Sequence, residues 1–226
     1  MTTKLIIQSI GTLIGGAVLL GMLLFLPAGT FHYWQAWVFI VVFMITISVF
    51  GIYFSIEDPA LMERRKQAGP GAEQSTLQKI VATIAFASLV GLFIISGLDH
   101  RFGWSAMPSF VSWVGDFLVV VVFFLYFLVF KTNSFGASNI RVEENQRVAS
   151  TGPYALVRHP MYSVGVLFFT AIALGLGSWW TLLLIVIAIP VLVLRILDEE
   201  KVLEKELVGY KEYEQKVRYR LIPFLW

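Results

Sequence analysis

The chain has 226 residues, of which 58% are hydrophobic and 14% charged, and its formal net charge is +2. These values exclude an ordinary soluble domain, in which about 45–50% of residues are apolar and about a quarter are charged. The absence of cysteine excludes disulfides, thiolate nucleophiles and iron–sulfur clusters, and the small net charge gives no reason to expect a nucleic-acid partner.

Long uncharged segments in the first part of the chain predict membrane-spanning helices. No Asp, Glu, Lys or Arg occurs from Leu5 to Ile56. A spanning helix needs about 20 mostly apolar residues, so this segment predicts two spans, and two further apolar segments predict two more. The four predicted spans are Leu5–Leu26, Trp34–Ile56, Ile80–Leu98 and Phe110–Phe130. Residues 1–130 are therefore interpreted as a four-helix transmembrane region. Asp116 within it is either a buried functional acid or, as we expect because it is only six residues from Phe110, an acid that water reaches from the outer surface.

The uncharged segment from His159 to Leu194 predicts a tight helical hairpin. A single helix through it would be about 54 Å long at 1.5 Å per residue, whereas the hydrocarbon core of a bilayer is about 30 Å thick. Gly175, Gly177 and Ser178 provide a break. The two resulting spans are predicted at Tyr162–Leu176 and Trp179–Leu197.

The segment that follows the hairpin predicts an amphipathic helix on the membrane surface. Leu203, Leu207, Tyr210 and Val217 recur at helical spacing, with Lys and Glu between them, and Pro223 is expected to end the helix. The sequence thus predicts an all-α, multi-pass integral membrane protein with about six transmembrane segments.

The distribution of basic residues predicts the orientation of these spans. With six spans, every Lys and Arg except Arg101 lies on one side of the membrane. Because basic residues favour the cytoplasmic side, we expect both termini to be cytoplasmic, and we expect the membrane to be the plasma (inner) membrane. The substantial polar segments lie on that same side.

Arg158, His159 and Pro160 lie at the predicted cytoplasmic start of the fifth span. Proline is favoured in the first turn of a helix, and the free N–H groups and positive dipole end of that turn suit a carboxylate. An isolated Arg-His-Pro is more often an ordinary helix start. Tyr162 just after it and Tyr154 shortly before it favour a binding site.

Glu199 and Glu200 lie where the sixth predicted span leaves the membrane, a depth at which ionisable residues tend to be functional. Two interpretations remain open. The pair forms ion pairs, for which Arg195 is four residues away, or it binds a cationic group of a ligand. Glu200 and Glu204 form a like-charge i, i+4 pair, which a sulfonium or amino group would relieve.

Arg218 and Arg220 precede Pro223 closely, and the residues alone favour contact with lipid headgroups. A guanidinium group also binds a carboxylate or phosphate in bidentate fashion. The chain before Pro223 is expected to be extended, so that positions two apart share a face. The sequence contains no metal-ligand spacing, and no metal is expected.

Residues from about 131 to 226 resemble the catalytic part of the isoprenylcysteine carboxyl methyltransferase family of membrane enzymes, which is similar to the phospholipid N-methyltransferases. The shared motifs are Asn133 and Phe135, Gly152-Pro153-Tyr154, Val157-Arg158-His159-Pro160 with Tyr162, Glu199-Glu200 with Leu203, Gly209-Tyr210 with Tyr213, and Arg218 to Pro223. Val164 departs from the pattern, because the family often has Gly or Ala there.

This resemblance implies an enzyme that transfers a methyl group from S-adenosylmethionine to a lipophilic acceptor, a carboxylate or an amine, at the cytoplasmic membrane face. Residues 131–226 would form its cofactor-binding and catalytic region. The implied cofactor-binding residues are Tyr154, Val157, Arg158, His159, Pro160, Tyr162, Glu199 and Glu200. The implied catalytic residues are Tyr213, Arg218 and Arg220, of which Arg218 is expected to lie closer to the site than Arg220.

Two alternatives belong to other functional classes. Sterol and steroid reductases have a similar Arg-His-Pro-x-Tyr segment, so a membrane reductase that uses NADPH is one alternative. The Glu199-Glu200 pair disfavours it, because NADPH carries a 2′-phosphate. The other alternative is a non-catalytic lipid-binding protein, for which the polar segments would have no purpose.

Overall fold

The computed structural model describes residues 3–66, 69–73, 75–136, 142–144 and 146–226. Within these residues the regular elements are all helical, and no strand occurs. The α-helices are α1 (Thr3–Ala28), α2 (Trp34–Glu57), α3 (Pro59–Lys66), α4 (Thr76–Phe102), α5 (Ser109–Thr132), α6 (Pro160–Gly175), α7 (Trp180–Glu206) and α8 (Tyr210–Lys216). Short 3-10 turns occur at Pro70–Ala72 and Gly152–Ala155.

Five helices (α1, α2, α4, α5 and α7) are long and apolar enough to cross a membrane. The sixth segment, α6, is apolar but has only 16 residues, which gives it a length of about 24 Å. The predicted hairpin is confirmed: α6 ends at Gly175, α7 begins at Trp180, and Gly177 has a φ of +75°. Glycine is favoured at a positive φ because it has no Cβ atom.

The outer surface of the helical bundle is apolar. Val49, Phe86, Phe117 and Val186 lie on different helices and are between 61% and 66% exposed. Monomeric soluble proteins rarely expose apolar surface on this scale, whereas lipid chains solvate such side chains. The fold is therefore that of an integral membrane protein, as predicted.

Aromatic side chains fill the interior between α2, α5 and α6. The ring of Phe43 lies 5.8 Å from that of Phe123 and 6.0 Å from that of Phe168, measured between centroids. Aromatic pairs at these separations stabilise a core beyond the effect of their buried area. This packing fixes the position of α6, whose first turn carries the Arg-His-Pro motif.

The backbones of α5 and α6 touch at the end of the bundle where α6 and α7 are joined, which we call the hairpin end. A Cβ atom at Gly115 would lie only 2.1 Å from the backbone nitrogen of Gly175, so no larger residue fits at this helix spacing. Small residues commonly allow such close approach between membrane helices.

The predicted division of the chain at residue 130 into a transmembrane region and a catalytic region stays a prediction.

The opposite end, the pocket end, contains the start of α6, the last turns of α7, and α8. The predicted surface helix is divided here, because α7 continues without a break from the membrane to Glu206. Gly209, with a φ of +86°, then separates α7 from α8. After Val217 the chain leaves α8 and runs across the start of α6.

Candidate functional site

A polar pocket with a cavity volume of about 90 Å³ lies at the pocket end. The first turn of α6, the last turns of α7, and α8 surround it, and the segments on either side of the Gly152–Ala155 turn complete the wall. Its lining residues are Asn133, Phe135, Gly136, Gln146, Arg147, Val148, Ala149, Tyr154, Arg158, His159, Pro160, Met161, Tyr162, Glu199, Leu203, Leu207, Tyr210 and Tyr213.

Glu200 is a buried carboxylate that joins three cationic or potentially cationic side chains. It is 3% exposed. His159 Nε2 lies 3.2 Å from its Oε1 atom, and Arg220 Nε donates to its Oε2 atom at 2.9 Å. Arg158 Nε lies 3.2 Å from Oε1, in electrostatic contact but without hydrogen-bond geometry. A buried carboxylate needs such partners to offset its lost hydration.

Arg158 also reaches α8, because its Nη1 atom donates to Glu214 Oε1 at 2.5 Å. The guanidinium group is therefore held between a carboxylate of α7 and a carboxylate of α8. These contacts lock the position of the Arg-His-Pro segment against both helices. Arg158 and His159 line the pocket with side chains that the protein itself already orients.

The last part of the chain pairs with the backbone of this segment. Arg158 N–H donates to the Tyr219 carbonyl at 2.8 Å, and His159 N–H donates to the Arg220 carbonyl at 2.9 Å. Ser163 Oγ donates to the Leu221 carbonyl at 2.6 Å. The tail thus satisfies N–H groups that precede α6, and it carries Arg220 to Glu200.

Glu199, next to Glu200 in sequence, has a different environment. It is partly exposed and lines the pocket. The Tyr162 hydroxyl donates to its Oε2 atom at 2.6 Å. Among the residues that the structure describes, no Lys, Arg or His forms an ion pair with Glu199. Within the described part of the chain, Glu199 thus presents a carboxylate without an ion-pair partner to the pocket.

Arg195 forms its ion pair with Glu73 and not with Glu199. Arg195 Nη2 lies 2.8 Å from Glu73 Oε1, its Nη1 atom donates to Gln78 Oε1 at 2.9 Å, and its Nε atom donates to the Tyr162 hydroxyl at 2.8 Å. The start of α4, which carries Gln78, packs against α7, and the segment just before α4 brings Glu73 to the same position. Of the two interpretations that the sequence left open, ion pairing therefore applies to Glu200, through Arg158 and Arg220, whereas Arg195 does not pair with Glu199.

Three tyrosines, Tyr154, Tyr210 and Tyr213, line the pocket together with Glu199. The Tyr213 hydroxyl donates to the Tyr154 carbonyl at 2.7 Å, and the Tyr154 hydroxyl accepts a hydrogen bond from Asn133 Nδ2 at 3.1 Å. Burial raises the pKa of Tyr154 to about 12 and raises the pKa of Tyr210 and Tyr213 as well. All three therefore stay neutral phenols at physiological pH. The Tyr210 hydroxyl is buried and has no hydrogen-bond partner among the described residues.

Most of the residues predicted for the site come together in the structure. Those that line the pocket are Tyr154, Arg158, His159, Pro160, Tyr162, Glu199 and Tyr213. Val157 is buried just outside the lining, and Glu200 lies behind it as the partner of Arg158 and His159. Arg220 reaches Glu200, whereas Arg218 is exposed and forms no ion pair with a described residue.

Arg220, and not Arg218 as expected, therefore lies closer to the site. The extended chain was expected to place Arg218 and Arg220 on one face. Instead, the backbone turns at Arg220, whose N–H donates to the Trp226 carbonyl at 2.8 Å. The pocket also contains residues that no motif indicated, such as Arg147 and Val148 from a loop without hydrophobic periodicity.

An apolar groove with a cavity volume of about 450 Å³ lies beside the pocket, between α4, α6 and α7. Its apolar wall consists of Val81, Ala82, Ile84, Ala85, Phe86, Leu89, Val166, Phe169, Ile185, Ala188, Ile189, Val191 and Leu192. Its polar end contains Arg65, Glu73 and Arg195. Met161 and Tyr162 line both the groove and the pocket, so the two cavities meet at the first turn of α6.

The fold and the site define a class: an integral membrane protein with a charged pocket at one end of its helical bundle and an apolar groove that leads to it. Residues 110–208 match the model of the phospholipid methyltransferase family. Over this region, from α5 to just beyond α7, the chain is similar to that family, which is in the same superfamily as the isoprenylcysteine carboxyl methyltransferases. The predicted relation is confirmed. No curated protein matches the chain.

Proposed function

We propose that this protein transfers a methyl group from S-adenosylmethionine to a lipophilic acceptor at the membrane boundary. The family match supports methyl transfer by a membrane protein. The observation that carries the proposal further is the position of Glu199, a carboxylate that lines the pocket without an ion pair among the described residues, whereas Arg158 and His159 in the same pocket already contact Glu200.

The residues of the pocket fit this cofactor. The sulfonium and amino groups of S-adenosylmethionine are cationic, and Glu199 supplies the negative charge that would face one of them. The exposed Arg147 at the rim suits the cofactor's carboxylate, and the unpartnered Tyr210 hydroxyl offers a further hydrogen bond. Since small-molecule sites usually measure about 300–1,000 Å³ and this cavity about 90 Å³, the rim has to widen for binding.

The main contribution of the protein to the reaction is to position the cofactor and the acceptor. S-adenosylmethionine, when bound, supplies an electrophilic methyl group on a positively charged sulfur. Tyr162 holds Glu199 in place, and Glu200 holds Arg158 and His159, so the pocket is organised before binding. A carboxylate acceptor needs no general base. An amine acceptor has to lose a proton, and Glu199 is a pocket carboxylate that can accept it.

The apolar groove supports a lipophilic acceptor. It has room for a hydrocarbon chain between α4, α6 and α7, and its polar end adjoins Tyr162, which also lines the pocket. An acceptor whose chain lay in the groove would bring its polar group to the first turn of α6. In this arrangement the cofactor binds from the water and the acceptor binds from the membrane, and the two meet at the boundary.

The remaining alternatives receive less support. A reductase that binds NADPH would have to place phosphate groups beside the carboxylate of Glu199, which is electrostatically unfavourable. A non-catalytic lipid-binding protein would need the groove but not the adjoining pocket. We also propose that the pocket end faces the cytoplasm, in accordance with the basic residues; a reporter fused after Trp226 that reads as external would contradict this orientation.

Ligand-dependent thermal unfolding of the purified protein tests the cofactor. A ligand that binds the folded state raises the melting temperature. We expect S-adenosylmethionine and its demethylated product to raise it in a saturable way, and NADPH at the same concentration to leave it unchanged. A rise with NADPH alone would favour the reductase, and no response to any of the three would contradict the proposed cofactor.

A further inference from the structure

A second polar cluster lies at the hairpin end, far from the pocket. It consists of Gln35 at the start of α2 and of Ser112 and Asp116 on α5. The two α5 residues are four apart and share one face of the helix. Ser112 is fully buried and Asp116 is 4% exposed. The expectation that water from the outer surface reaches Asp116 is wrong, because the contact between Gly115 and Gly175 presses this part of α5 against α6.

The cluster presents oxygen atoms without partners. Gln35 Oε1, Ser112 Oγ and both carboxylate oxygens of Asp116 are buried and have no hydrogen-bond partner among the described residues. A buried polar group without a partner is costly, and a buried charge more so. These atoms therefore indicate a binding partner from outside the chain.

The three side chains converge on the end of α6. A Cβ atom built on Gly177 would lie 3.4 Å from Ser112 Oγ and 3.3 Å from the Gln35 amide nitrogen, and one built on Gly175 would lie 3.0 Å from Asp116 Oδ1. The C-terminal end of a helix carries a partial negative charge. The helix end, the carboxylate and the neutral oxygens all favour a positively charged ligand.

Asp99, Tyr33 and His100, which also lie at this end, have their own contacts. Asp99 accepts hydrogen bonds from Ser105 N–H at 2.7 Å, from Ser105 Oγ at 2.6 Å, and from Ser178 Oγ. The Tyr33 hydroxyl donates to the Leu176 carbonyl at 2.6 Å, and the His100 ring stacks on Tyr33. None of these side chains forms a hydrogen bond or ion pair with Asp116 among the described residues.

We propose that Asp116, Ser112 and Gln35 bind a sodium ion at the hairpin end. Oxygen ligands are those that hard cations prefer. One carboxylate balances one positive charge, whereas a divalent ion would leave a net charge buried between membrane helices. The bound ion would join α2 and α5 to the end of α6, and would thereby stabilise the hairpin that positions the first turn of α6.

Sodium binding can be measured directly on the purified full-length protein. The protein is freed of sodium by exchange into N-methyl-D-glucamine chloride, and its binding of ²²Na⁺ is then followed at constant ionic strength. We expect one saturable site per chain. Sodium at about ten times its Kd should raise the melting temperature by about 3–6 °C, whereas choline chloride should not.

The variants locate the ion. Asp116→Asn should abolish both ²²Na⁺ binding and the sodium-dependent shift, and Ser112→Ala should weaken binding about tenfold. Asp99→Asn changes another buried carboxylate at the same end, which is already hydrogen-bonded, and should leave sodium binding intact. If Asp116→Asn does not fold, Ser112→Ala, which keeps the carboxylate, decides the matter.

Three results would overturn the proposal. One is the absence of ²²Na⁺ binding by the unsubstituted protein, and another is binding that persists in both Asp116→Asn and Ser112→Ala. The third is a melting temperature that depends on pH but not on sodium, which would show that Asp116 carries a proton instead of facing a metal ion.

Discussion

The Tyr162 hydroxyl lies 2.6 Å from Glu199 Oε2 and, on its other side, accepts a hydrogen bond from Arg195. The hydroxyl donates to Glu199, which lines the pocket, and accepts from Arg195, which lies at the polar end of the groove. Tyr162 thus connects the two cavities, one suited to a charged cofactor and the other to an apolar chain.

Glu199→Gln should weaken binding of S-adenosylmethionine while the fold stays intact. The substitution removes the negative charge of Glu199 but leaves an amide that can still accept from Tyr162. The loss of a charge-assisted contact of about 1.5–3 kcal/mol corresponds to about a 10- to 150-fold rise in Kd. Isothermal titration calorimetry measures it, and Glu204→Gln, an exposed position on the same helix, serves as the control. Equal affinity in both variants would remove Glu199 from the cofactor site.

Glu200→Gln should destabilise the protein. The sequence alone placed both carboxylates where the sixth predicted span leaves the membrane and did not separate their roles. The structure buries Glu200 among Arg158, His159 and Arg220. Removing one partner of a buried ion pair typically costs about 3–5 kcal/mol, so the melting temperature without ligand should fall by several degrees. A melting temperature equal to that of Glu199→Gln would contradict this role.

Arg220→Ala should lower methyl transfer more than Arg218→Ala. Arg220 binds Glu200 and sits on the tail that crosses the start of α6, whereas Arg218 is exposed. Arg220→Lys should restore activity only in part, because the ammonium group lacks the planar arrangement of donors of the guanidinium. The measurement is the initial rate at saturating cofactor. A larger loss in Arg218→Ala would restore the order predicted from the sequence.

Ala188→Phe should impair acceptor binding without affecting the cofactor. Ala188 lines the apolar groove on α7, and a phenyl ring there would fill part of its 450 Å³. We expect a raised KM for the acceptor and an unchanged Kd for S-adenosylmethionine. Ala87→Phe, an exposed position on α4 outside the groove lining, is the matched control. An unchanged KM in Ala188→Phe would place the acceptor elsewhere.

Much of this architecture could be predicted because local chemistry determines it. Long uncharged segments indicate spans, Gly177 permits the turn of the hairpin, and Pro160 begins α6. The roles of Glu199 and Glu200 could not be separated, because neighbours on a helix point about 100° apart and only the packing of α6 and α7 decides which one is buried. Glu73 and Gln78, the partners of Arg195, lie far from it in sequence, so they could not be predicted either. The burial of Asp116 depends on the contact between Gly115 and Gly175, which belongs to the tertiary structure.

The most direct test of the account is transfer of a labelled methyl group. The purified protein in lipid vesicles is incubated with methyl-labelled S-adenosylmethionine and a mixed lipid extract, and label is measured in the organic phase. We predict time-dependent labelling of a lipophilic product by the unsubstituted protein and a reduced rate for Glu199→Gln at subsaturating cofactor. A folded protein that binds S-adenosylmethionine but labels no lipophilic acceptor would contradict the central claim.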